Sequence, residues 1–113
     1  MYYLFLVYSD DPPPFSDRVA YEEACRANDA ALRERGYLLA GASLQSGSPS
    51  LILRVEGEEL SLADGFPTGA GDGFETVYVI NARDLNEAIR LAAGMPQARR
   101  GRIEITSLSE LQV

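Results

Sequence analysis

Residues 2–8, YYLFLVY, form an apolar and aromatic run of strand length, closed by Asp10 and the prolines at 12–14. A run without polar alternation predicts a strand covered on both faces. FSDRVAYEEACRANDAALRERG, 15–36, then sets Tyr21, Ala24, Cys25, Asn28, Ala31 and Leu32 on one face at helical spacing, with charged residues off that face. It predicts a helix, with Ser16 as N-cap, Asp17 near its positive end and Gly36 after its last turn. YLLAGASLQ (37–45) predicts a second strand, and SGSPS a turn. LILRV and ELSLA flank EGE and predict a hairpin.

FETVYVINA (74–82), rich in β-branched and aromatic residues, predicts a further strand. A helix follows, with Asp84 and Glu87 spaced as a capping box, Leu85, Ala88, Ile89 and Ala92 as its apolar stripe, and Gly94 and Pro96 as stops. RIEIT closes the pattern with alternating Ile103 and Ile105. Without the hairpin the order is βαββαβ, the ferredoxin-like arrangement within the α+β class: an antiparallel sheet with both helices on one face. The other face then has no cover within the chain, yet the first strand is apolar on both sides. Such a face predicts a homodimer closing sheet against sheet.

Length and composition narrow the chemistry. The 113 residues fit a single domain, 1–113. The net charge is −7, and all ten basic residues are arginine. An acidic chain is a poor partner for nucleic acid. Without lysine there is no Schiff-base or P-loop chemistry, and without histidine no Ser-His-Asp triad and no imidazole metal site. No metal and no cofactor is expected. Cys25 is the single cysteine, so no disulfide framework forms within the chain. The apolar start is too short for a membrane span and lacks a basic n-region, which predicts a cytoplasmic protein without a membrane partner.

LADGFPTGAGDG, 62–73, holds four of the ten glycines. Strands flank it and no lysine is available, so it reads as a flexible loop between strands rather than a phosphate cradle. Asp64 followed by Gly65 is a turn pair; the functional alternative makes Asp64 a pocket carboxylate acting as base. Asp72 and Glu75 stand close enough in sequence to join it. Arg99, Arg100 and Arg102 form a trio whose guanidinium forks suit a carboxylate or phosphate, or else pair across a dimer contact. Cys25 reads as a small buried hydrophobe. Asn28, on the same face, needs hydrogen-bond partners or a pocket to line. Tyr3, Tyr8, Tyr21 and Tyr78 read as core or interface aromatics, any one of which could donate a proton near Asp64.

YLFLVYSD, GYLLAGASLQ, LADGFP and VYVINARDLNEAIRLAAGMPQARRGRIEI together resemble the YCII-related family, in its DGPF branch, over nearly the whole chain. The resemblance implies a ferredoxin-like, dimeric α+β barrel with a pocket near the sheet. It implies no assigned reaction; a His and Asp pair in some members has suggested catalysis. Here the naming motif reads Asp64-Gly65-Phe66-Pro67, its last two residues exchanged, and no histidine exists for the pair. Three readings stay open: a homodimer binding a small molecule, anionic if the arginines hold it, between sheet and loop; a cofactor-free isomerase, lyase or monooxygenase using Asp64; and a non-catalytic interaction module.

Overall fold

The protein, seen here as a computed structural model, is described over residues 1–10, 15–44, 50–65 and 73–112. Six strands, two helices and one 3₁₀ turn follow in the order β1 (Tyr2–Ser9), α1 (Phe15–Glu34), β2 (Leu38–Ser43), β3 (Ser50–Glu56), β4 (Glu59–Gly65), β5 (Phe74–Asn81), α2 (Leu85–Ala93), the 3₁₀ turn (Pro96–Arg99) and β6 (Gly101–Ser107). Four strands form one antiparallel sheet in the order β2-β5-β1-β6, while β3 and β4 pair only with each other. With the hairpin set aside, this is the ferredoxin-like order, and the chain is of the α+β class.

The alternation of β1 sorts the two sheet faces. Tyr3, Phe5 and Val7 point to the helices and are buried, together with Tyr78, Ile80, Leu32, Leu38, Ala82, Ala88, Ala92 and Met95. Register places Leu4 opposite Val79 and Thr106, and Leu6 opposite Val77 and Glu104, on the other face. Ala40 and Ala42 extend that face across β2. No described element covers it.

The helices pack by less of their stripe than spacing predicts. In α1, Tyr21, Cys25 and Asn28 are half-buried and Leu32 is fully buried, whereas Ala24 and Ala31 are exposed. The helix begins at Phe15, so Ser16 lies inside its first turn and is not the cap. Gly36 follows with φ +83°, a left-handed conformation glycine adopts without a Cβ penalty. In α2 the small residues Ala88 and Ala92 are buried and Leu85 and Ile89 stay half exposed. Asp84 is its N-cap: its Oδ1 accepts from the Glu87 N–H at 2.8 Å, and Glu87 Oε1 accepts from the Arg83 N–H at 2.8 Å. Gly94 ends that helix, and Pro96 opens the 3₁₀ turn that the spacing did not foretell.

Asp64 and Gly65 are not a turn. They are the last residues of β4, Asp64 opposite Leu51 and Gly65 opposite Ser50. A Cβ at Gly65 would strike the Ile52 side chain, so close cross-strand packing, rather than backbone conformation, accounts for the glycine. Apart from each other, β3 and β4 make no substantial contact with any element. The radius of gyration, 16.1 Å, exceeds the ~13 Å of a compact chain of this length; the difference is the projecting arm. No helix among the described residues is long and apolar enough to cross a membrane.

Candidate functional site

A cleft of about 520 Å³ opens between α1 and the helix-facing side of the sheet. Residues Arg18, Tyr21, Glu22, Cys25, Arg26 and Asp29, spaced three and four apart, give the wall on α1. Ser9, Ser43, Glu75, Thr76 and Tyr78 form the sheet side, and Gln97 of the 3₁₀ turn closes the inner end. The cleft exists because α1 seals against the core chiefly at its C-terminal end, where Leu32 is buried. A β-bulge contributes too. Between Val7 and Tyr8 the register with β5 slips, leaving Glu75 unpaired and turned into the cleft.

The inner end is a hydrogen-bonded chain. The Tyr78 hydroxyl donates to Asp29 Oδ2 at 3.1 Å and accepts from Gln97 Nε2 at 3.0 Å. Two oxygens of that chain, Asp29 Oδ1 and Gln97 Oε1, are buried with no partner among the described residues. Gln97 is only 7% exposed, so its orphaned carbonyl is an unusual expense in a fold. Burial pushes the Asp29 carboxyl up, opposed by the Tyr78 hydrogen bond and by Arg33. Burial and the neighbouring Asp29 push Tyr78 up, so it stays protonated and serves as a donor. Near the mouth, burial pushes Tyr21 and Cys25 up as well. Cys25 therefore rests as a thiol in the cleft wall, half-buried, instead of packing as a core hydrophobe.

A carboxylate whose proton affinity has been raised is a better base than one in water, and Tyr78 holds it in place. The arrangement can accept hydrogen bonds from a ligand bearing two donors and take up a proton at Asp29. Arg18 and Arg26 line the outer part.

Of the residues singled out by sequence, Glu75, Cys25, Tyr21 and Tyr78 line this cleft. Asn28 lies on the cleft side of α1 but does not line it; its Nδ2 is buried without a partner among the described residues. Asp64 is exposed on the arm and does not line the cleft. Asp72 lies outside the described residues. The arginine trio does not converge: Arg99 is exposed, Arg100 lies over the Tyr21 ring at 5.7 Å, and Arg102 lies over the Tyr8 ring at 4.3 Å and reaches Asp10 at 3.8 Å. Asp29 and Gln97 were missed. The first carried a signal, standing four and eight residues after Cys25 and Tyr21 on one stripe; Gln97, alone in GMPQARR, carried none.

Comparison with known proteins places this geometry. No curated protein matched the chain. Among solved structures, a similar one is 5-chloro-2-hydroxyhydroquinone dehydrochlorinase (TftG) from Burkholderia phenoliruptrix AC1100, in complex with 2,5-dihydroxybenzoquinone. It is 16% identical, covering 97% of this chain and 95% of the other, with a TM-score of 0.55, a likeness of fold. The YCII-related domain matches residues 1–112, and the chain belongs to the YCII-related family.

Proposed function

We propose that the protein binds a small hydroxylated molecule in the α1–sheet cleft and moves a proton at Asp29. One observation carries this reading: the Asp29–Tyr78–Gln97 chain leaves two buried oxygen acceptors without a partner among the described residues, on side chains that line a cleft of small-molecule size. Acceptors without donors favour a ligand that brings O–H or N–H groups. A hydroxyl meeting Asp29 Oδ1 transfers its proton to the carboxylate and leaves an oxyanion, for which Arg18 and Arg26 supply positive charge at the outer wall. The ligand named with the similar structure, 2,5-dihydroxybenzoquinone, is a hydroxylated ring and supports this ligand class. The same reading includes a homodimer closed across the uncovered sheet face of Leu4, Leu6, Val77 and Val79, an apolar surface of the kind that marks association.

Calorimetric titration with a series of mono-, di- and trihydroxybenzenes and hydroxyquinones tests the ligand. Binding is expected to require hydroxyls and to weaken at least about tenfold, about 1.4 kcal/mol, in Gln97→Leu. The heat of binding should be independent of the buffer's ionisation enthalpy in the wild type, because the proton stays within the complex, while the ultraviolet spectrum of the bound ligand should show its ionised form in the wild type and lose it in Asp29→Asn. Binding untouched by both substitutions, or absent across the series, overturns the reading.

A further inference from the structure

The β3–β4 arm is amphipathic to a degree its own chain does not use. Register puts Leu51, Leu53, Val55, Leu60 and Leu62 on one face, with Asp64 at its root end, and Ser50, Ile52, Arg54, Glu56, Glu59, Ser61 and Ala63 on the other, more polar one. The five aliphatic side chains are between 59% and 69% exposed. They form a contiguous aliphatic strip of the kind that marks an association surface. A two-stranded hairpin is marginally stable alone in water. No described element of its own chain covers this arm, and a partner as constant as the chain itself would.

We propose that the arm docks by this apolar face on a second copy of the chain, with its acidic tip against the arginine corner of that copy. Area supports the occupant: about a two-fold axis both arms are buried at once, so five exposed aliphatic side chains contribute twice to one interface. Charge supports it as well. The tip carries Glu56, Glu58 and Glu59, while Arg99, at the end of the 3₁₀ turn, and Arg102, in β6 and in reach of Asp10, flank the start of that strand in a chain of net charge −7. The geometry is continuous with both. The arm follows β2 and precedes β5, whose Phe74 pairs with Tyr8, which pairs in turn with Arg102. Arm root and arginine corner thus share one end of the sheet, and a two-fold axis at that end sets each arm beside the other copy's arginines.

The inference goes beyond the sheet-to-sheet dimer, and association constants from sedimentation equilibrium separate the two. Leu53→Asp with Leu62→Asp is expected to weaken association at least about 100-fold, whereas Ser61→Asp on the polar face leaves it within about twofold. Leu6→Asp reports on the sheet face alone. Glu56→Arg with Glu58→Arg is expected to weaken association about tenfold, less so in high salt. Hydrogen exchange of the unaltered protein should show arm amides protected at high protein concentration and open at low. A monomeric wild type, an unchanged constant in the Leu53 and Leu62 variant, or arm amides open at every concentration overturns the docking. An unchanged constant in the tip variant overturns the landing site.

Discussion

Two glycines show how differently one residue type is used. Gly57 has φ +62° at the arm tip, and a Cβ there would meet nothing; Gly73 has φ +79°, and its Cβ would collide with the Ser9 carbonyl. Gly57→Ala should cost about 1 kcal/mol of backbone strain, and only locally. Gly73→Ala adds a steric clash that breaks the Ser9 N–H to Gly73 carbonyl bond of 2.8 Å, and should cost more than about 2 kcal/mol in urea unfolding. Asp29 makes the second prediction at this scale. Folding raises its pKa, so its favourable contribution is present below the unfolded value of about 3.9 and is lost as pH rises through the folded one. Asp29→Asn keeps an acceptor for Tyr78 and carries no charge. It should raise the Tm at pH 7, with the gain shrinking as pH falls towards 4. Asp64 stands out in the sequence because it sits in a family motif, whereas Tyr78, the partner of Asp29, lies 49 positions away, and Gln97, which donates to Tyr78, lies a further 19.

Elements were read from periodicity far better than side-chain roles. The alternation of RIEIT, the β-branched run of β5 and the Asp84–Glu87 spacing each produced the element they implied, because every one rests on interactions within a few residues. Asp84→Ala should lower stability by about 1 kcal/mol, with faster amide exchange confined to the first turn of α2. Misreadings came where the environment is non-local. Helical spacing put Ala24 and Ala31 on the packing face, but both are exposed, and a stripe of Tyr21, Cys25 and Asp29 lines a cleft instead of filling a core. Asp64-Gly65 resembled a turn because turns and strand ends share those residues; pairing with Leu51 and Ser50 of β3, far from them in sequence, makes them a strand end.

At the scale of the molecule, the ferredoxin-like order follows from the alternation of strands and helices, and the two-sided apolarity of β1 marked a sheet with one face uncovered. The arm's independence was not foreseeable, because a hairpin inserted between β2 and β5 has the same sequence pattern whether it extends the sheet or leaves it. Two apolar surfaces, the sheet face and the arm face, and one polar cleft thus occupy separate sides of a small chain. The proposed assembly and the proposed ligand chemistry fall on different residues, so the substitutions at Leu6, Leu53 and Gln97 report on distinct properties.

The loose seat of α1 has a further result for how such a protein changes over generations. Among its side chains whose burial is described, only Leu32 is fully buried, so the cleft wall at 18, 21, 22, 25 and 26 can be rewritten with little loss of core packing. New ligand preferences can accumulate on that wall while β1, β5 and α2 keep the fold, which lets one scaffold diversify its chemistry without first acquiring spare stability.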